Sequence, residues 1–158
     1  MQFVSAWATP DKRILVSLSE TVTEIFQGHI QTARDDREAG GLLLGSVHGV
    51  NIAISEATVP TSWDKRLRHL FERMPMGHKA VAEARWLESG GTVRYLGEWH
   101  THPEDHPCPS GIDRSEWKKL VRKRVDRRPL LAIVVGRKSL HVELVEDNGF
   151  GPVLVPTR

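Results

Sequence analysis

A mixed α/β fold, with a central mixed β-sheet flanked by helices, is predicted by three features of the sequence. Short apolar runs have strand length, segments with helical apolar spacing lie between them, and the two do not strictly alternate. The 158 residues are about one domain long, and with 39% hydrophobic and 27% charged residues they can bury one core. No internal repeat, low-complexity tract or linker divides the chain, so residues 1–158 are expected to form a single domain.

The elements follow in order. Ile14 to Leu18 reads as a short strand, and Ser19 to Ala33 as a helix, because Val22, Ile25, Phe26, His29, Ile30 and Ala33 recur at helical spacing. A polar stretch, Arg34 to Glu38, leads into Gly40 to Gly45, an apolar run bracketed by glycines that suits a buried strand. Asn51 to Thr58 predicts a further strand, closed by Pro60, whose ring removes an amide donor. The charged stretch from Thr61 to Gly91 holds one helical segment, His78 to Leu87, ended by Gly90-Gly91. Val93 to His102 alternates as a strand and runs into a turn broken by Pro103, Pro107 and Pro109. From Ser110, the positions Trp117, Leu120, Val121 and Val125 predict a helix with an apolar stripe. Leu130 to Val135 and Ser139 to Val145 complete the pattern as a hairpin around Gly136-Arg137-Lys138.

Composition excludes several classes. The longest apolar run, Leu130 to Val135, is far short of the roughly 18 residues a membrane helix needs. A net charge of +2 argues for no particular polyanionic partner. The single cysteine, Cys108, cannot form an internal disulfide, and the N-terminus lacks a signal-peptide pattern, so a cytoplasmic location is expected. The basic run Lys118, Lys119, Arg122, Lys123, Arg124, Arg127 and Arg128 reads first as a solvated helix face, with an acidic protein or nucleic acid as alternative partners.

The chemistry concentrates between His100 and Asp113. Alternating side chains along a strand put His100 and His102 on one face, so two imidazoles project together. After seven intervening residues comes Ser110-x-x-Asp113, where the first turn of a helix carries a carboxylate back toward the strand end. Two imidazoles, a carboxylate and an exchangeable water form the pattern of catalytic rather than structural zinc, which is usually closed by thiolates. Ser110 and Asp113 also read as a helix cap, a role compatible with ligation. His106 and Glu104 are expected to be solvent-facing turn positions. A hydrolytic site also needs a carboxylate base. Glu98, on the face of the two histidines, and Glu38, at the entry to the glycine-bounded strand, are both candidates, and spacing does not choose between them.

Glu38, His100-x-His102 and, seven residues on, Ser110-x-x-Asp113 together resemble the JAMM motif of metal-dependent MPN-domain isopeptidases. Glu38-Ala39-Gly40-Gly41-Leu42-Leu43-Leu44-Gly45 is similar to the first strand of that family, so the resemblance spans nearly the whole chain. It implies a zinc (Zn2+) peptidase in which His100, His102 and Asp113 hold the metal, Glu38 is the general acid/base and Ser110 steadies the oxyanion. The string from Gly97 to Trp117, with Pro60, Asp64, Arg68, Phe71 and Arg73, resembles a bacterial branch found beside CD-NTases in CBASS anti-phage operons and on integrative and conjugative elements. That branch implies a protein conjugate as substrate, formed by a CD-NTase or ubiquitin-like C-terminus on a target. Trimming of a ubiquitin-like sulfur-carrier protein and a silent MPN scaffold that only binds partners are the other expectations. A scaffold would show lost ligands, and here the ligand set is complete.

Overall fold

The computed structural model describes residues 2–157. Along the chain come β1 (Ala6–Ala8), β2 (Leu15–Leu18), α1 (Glu20–His29), β3 (Gly40–His48), β4 (Asn51–Ala57), β5 (Lys65–Leu67), β6 (Leu70–Glu72), α2 (His78–Glu88), β7 (Arg94–Thr101), α3 (Gly111–Lys123), β8 (Leu130–Val135), β9 (Leu140–Val145) and β10 (Val155–Pro156). Eight strands form one mixed sheet in the order β10-β1-β2-β4-β3-β7-β8-β9, while β5 and β6 pair as a separate hairpin. The β2–β4 and β7–β8 pairs are parallel and the other pairs in the sheet are antiparallel.

The two sheet faces are covered by different helices, and β8 explains why its sequence is apolar throughout. Its residues Leu131, Ile133 and Val135 join Val22 and Phe26 of α1 on one face, while Leu130, Ala132 and Val134 pack with Trp117 of α3 on the other. All six β8 side chains are fully buried, as expected for a strand covered on both faces. On the α1 face, Phe26 meets Trp99 of β7 with ring centroids 5.2 Å apart. Trp117, with Leu120 and Val121 packed beside it, is therefore core, as its spacing predicts.

A register shift in β7 shapes the α3 face. Leu43 pairs with Gly97 and Leu44 with Tyr95, leaving Leu96 as an extra residue. The extra residue changes the parity of alternation, so Tyr95 and Glu98 share a face and the Tyr95 hydroxyl donates to Glu98 Oε2 at 2.5 Å.

Four sequence expectations are corrected. The first helix ends at His29 rather than Ala33, because Ile30 turns extended and Gln31 is buried, donating to the carbonyls of Asp36 (3.1 Å) and Arg68 (2.9 Å). Val125 is not on a helical stripe: α3 ends at Lys123, Arg124 is extended, and Val125 is 98% exposed. The stretch before α2 holds the β5–β6 hairpin, whose three-residue strands are too short for an alternation to announce them. The edge strands β1 and β10 are too short for periodicity to reveal.

Candidate metal centre

The C-terminal half of β7 delivers two imidazoles to the α3 face. His100 and His102 are 9% and 8% exposed, with Nε2 atoms 3.1 Å apart. Beyond Pro103 the chain loops out and returns at Ser110, the N-cap of α3. There Asp113 N donates to Ser110 Oγ (3.1 Å) and Ser110 N donates to Asp113 Oδ2 (2.8 Å), closing a capping box. The same carboxylate lies with Oδ1 3.1 Å from His100 Nε2 and Oδ2 3.1 Å from His102 Nε2. Three of the residues predicted as metal ligands are thus brought together, and Asp113 both caps the helix and faces the imidazoles.

Glu38, 5% exposed, completes the cluster: one atom each from Glu38, His100 and His102 lies within 4.8 Å of the others. Its backbone is held from two sides. On the hairpin side, Glu38 N donates to Leu67 O (2.7 Å) and Arg66 Nε donates to Glu38 O (2.8 Å). On the sheet side, Ala39 N donates to Thr101 Oγ1 (2.9 Å), and that hydroxyl donates to Gln31 Oε1 (2.8 Å). Gly40 must be small, because a Cβ there would sit 2.5 Å from Trp99 O and 2.7 Å from the Phe71 ring.

The electrostatics of this cluster call for a cation. His102 Nδ1 lies 2.7 Å from Glu104 Oε1, a contact that favours a proton on Nδ1 and directs Nε2, 3.1 Å from Asp113, for use as a ligand. Two imidazole nitrogens and a carboxylate meet with all three separations at 3.1 Å. Ligands at ordinary zinc distances in a tetrahedron stand about 3.3 Å apart, so these donors fit such an ion in chemistry and spacing. The pKa directions agree. Burial, reinforced by Asp113 and Glu104 and opposed by His102, pushes Glu38 up to about 8. Burial disfavours charge on His102, yet Asp113, Glu104 and Glu38 raise it to about 9. Asp113 is buried but is held far below its usual range by His100, His102 and the Ser110 N–H. The carboxylates draw positive charge to the spot where the lone pairs converge.

Other predicted candidates sort themselves. Glu98 lines the same cavity, but Arg73 occupies both its oxygens at 2.8 and 3.1 Å and Tyr95 donates to one, so it is not a base free to take a proton. Glu104 corrects the expectation of a merely solvent-facing turn residue, since the bend at Pro103 folds it back onto His102 although its side chain stays 46% exposed. His106 remains in the outer loop, beside Ser139 Oγ at 2.8 Å. Phe71 lines the cavity, whereas Trp63 is 61% exposed. Ser110 and the exposed Cys108 line the same cavity of about 780 Å³. Thr101, Gln31 and Arg66 escaped the sequence reading; Thr101 sits between the paired histidines, where alternation points it to the opposite face, toward Glu38's backbone.

Known proteins share this fold and sequence. Residues 26–146 match the family described as prokaryotic homologs of the JAB domain. A Pseudomonas aeruginosa protein named CD-NTase/cGAS isopeptidase is 60% identical over 156 residues, covering 99% of each chain. A Vibrio cholerae protein of the same name is 38% identical over 126 residues, covering 80% of this chain and 78% of that one. A probable metalloprotease, y4qB, from Sinorhizobium fredii is 27% identical over 64% of each chain. In fold, the solution structure of protein DSY2949 from Desulfitobacterium hafniense superposes with a TM-score of 0.61 at 20% identity, covering 89% of this chain and 90% of that one.

Proposed function

Since the chain belongs to the family of prokaryotic JAB-domain homologs, we propose that it is a zinc-dependent isopeptidase that releases a CD-NTase or ubiquitin-like C-terminus from a target protein in the cytoplasm. The observation that carries this reading is the convergence of His100 Nε2, His102 Nε2 and the Asp113 carboxylate at 3.1 Å, with buried Glu38 alongside. His100, His102 and Asp113 hold the ion. A zinc ion there lowers the pKa of water toward about 7 and polarises the scissile carbonyl.

The chain's own groups supply the rest. Glu38, buried beside the two histidines, takes a proton from the attacking water and returns it to the departing lysine amine. Its clamped backbone keeps the carboxylate at a fixed distance from the two histidines. Ser110 Oγ accepts from Asp113 N–H, which leaves its own proton available to donate to the oxygen that gains charge. Glu104 holds His102 in the tautomer whose Nε2 is unprotonated.

The test uses a fusion carrying a CD-NTase C-terminus on a lysine-bearing target, with zinc content and cleavage followed together. Glu38→Gln is expected to keep stoichiometric zinc and lose turnover by about 10³-fold, whereas Asp113→Ala loses both. Undiminished cleavage by Glu38→Gln would move the base elsewhere.

A further inference from the structure

A second cavity, of about 410 Å³, adjoins the catalytic groove, with Arg73 and Leu120 forming walls of both. Charge changes sign across this partition. Around the catalytic groove the carboxylates Glu38, Glu72, Glu104, Asp113 and Glu116 dominate. The second cavity is walled by four cations, Arg73, Arg94, Lys123 and Arg124, against one carboxylate, Asp126. Arg73 is neutralised by Glu98, and Arg124 holds Asp126 through Nε (3.1 Å) and Nη2 (2.9 Å). Arg94 and Lys123 keep no ion-pair partner among the described residues. Arg124 is 4% exposed and is spent on Asp126 and the Tyr95 carbonyl, so Arg94 and Lys123 are the cations left to meet an anion in the cavity.

We propose that this cavity is a subsite for an acidic side chain, Asp or Glu, of the tail whose carbonyl is cleaved, four to five residues before the scissile bond. The assignment rests on the isopeptidase reading. In an isopeptide the amine side is a single lysine side chain, so only the tail on the carbonyl side is a linear chain able to reach a distant pocket. Tyr95 lines the second cavity and His100 the first, five positions apart on β7, a separation of roughly 15 Å at ordinary strand rise. An extended peptide lying along the groove covers that span in about four to five residues. A carboxylate lodged between Arg94 and Lys123 meets two cations, and planar pairing with Arg94 favours it.

The experiment measures binding, not turnover. Zinc-loaded Glu38→Gln protein is titrated into rhodamine-labelled decapeptide amides of neutral sequence, each with one Asp placed at successive positions from the C-terminal end, and anisotropy is recorded. Affinity is expected to peak with Asp at the fourth or fifth position, about ten-fold above the Asp-free peptide. The peak is expected to vanish when Arg94→Ala and Lys123→Ala are added, with zinc content unchanged, and when Asp is replaced by Asn. A flat profile, no binding by any peptide, or a peak that survives the double substitution overturns the proposal. Binding of AMP that depends on Arg94 and Lys123 and exceeds the best peptide also overturns it, giving the cavity to a nucleotide. Failure of the isopeptidase reading would appear separately, as zinc-bound wild type that leaves the conjugate uncut.

Discussion

Two clusters of histidine and carboxylate adjoin the β5–β6 hairpin, and they differ in how fully they are closed. In the first, Leu42 N–H donates to Thr58 Oγ1 (2.7 Å), that hydroxyl meets His78 Nδ1 (2.6 Å), and His78 Nε2–H meets Asp64 Oδ2 (2.6 Å). Asp64 also accepts from the N–H groups of Thr61 and Met74, both at 2.8 Å. Both side chains are fully covered, and each donor finds an acceptor. In the second cluster, His100 and His102 converge with Asp113 at 3.1 Å and border a cavity of about 780 Å³. Similar residue types thus give a strut in one place and a candidate metal centre in the other. Two imidazoles and a carboxylate converging beside open space make the difference, not the presence of histidine.

The sharpest way to break this comparison is to remove one histidine from each cluster. His78→Ala leaves Asp64 and Thr58 buried without their partner, so unfolding free energy is expected to fall by about 3–5 kcal/mol, while the folded fraction still binds zinc. His100→Asn is expected to abolish zinc binding yet leave the metal-free protein nearly as stable as the parent, because the site borders an open cavity where water replaces the lost imidazole. Urea denaturation in chelator, paired with zinc titration, measures both. Equal stability losses in the two variants would erase the distinction.

Smaller effects sharpen the role of each neighbour. Ser110→Ala is expected to lower kcat by about 10²–10³-fold with little change in zinc affinity, the signature of a lost oxyanion donor. Because Ser110 also caps α3, this variant should lose about 1 kcal/mol of stability, and Ser110→Gly, which caps nearly as well, separates the two roles. Glu104→Gln is expected to weaken zinc binding by about 10–100-fold without abolishing it, as for a residue that orients a ligand. Unaltered zinc affinity in Glu104→Gln would reduce the 2.7 Å contact with His102 to a surface ion pair.

How much of this was legible in the sequence follows from which signals are local. Periodicity announced β3, β4, β7, β8, β9 and all three helices, since an apolar strand covered on both faces or a striped helix writes itself into consecutive residues. Alternation in His100-Thr101-His102 and the cap at Ser110 put the three converging groups on the page before any coordinates. The β5–β6 hairpin stayed hidden because its strands are three residues long, too short for periodicity, and are held to the backbone of Glu38, a contact that leaves no local pattern. The choice between Glu38 and Glu98 could not be made from spacing either. It turns on the extra residue at Leu96, which puts Tyr95 on the face of Glu98, and on Arg73, which reaches Glu98 from a distant part of the chain. The burial of His78 was equally invisible, since a histidine at a helix start reads as exposed.

The saturated cluster also carries a pH dependence that separates it from its unsaturated counterpart. Burial alone would raise the Asp64 pKa, but the Thr61 and Met74 N–H groups and His78 outweigh it and hold the carboxylate below its ordinary value. A depressed folded-state pKa means that the ionised Asp64 carboxylate contributes fully above the unfolded value of about 3.9 and that its contribution is lost as pH falls through the folded one. Asp64→Asn is therefore expected to lower stability by about 2 kcal/mol at pH 7 and pH 5 alike, with the gap to the parent narrowing only below about pH 4. The comparison is made in chelator, so that proton competition for His100 and His102 does not enter. A gap that is constant down to pH 3 would mean that Asp64 holds the hairpin by shape and neutral hydrogen bonds, and that its charge has no part in fixing the wall over Glu38.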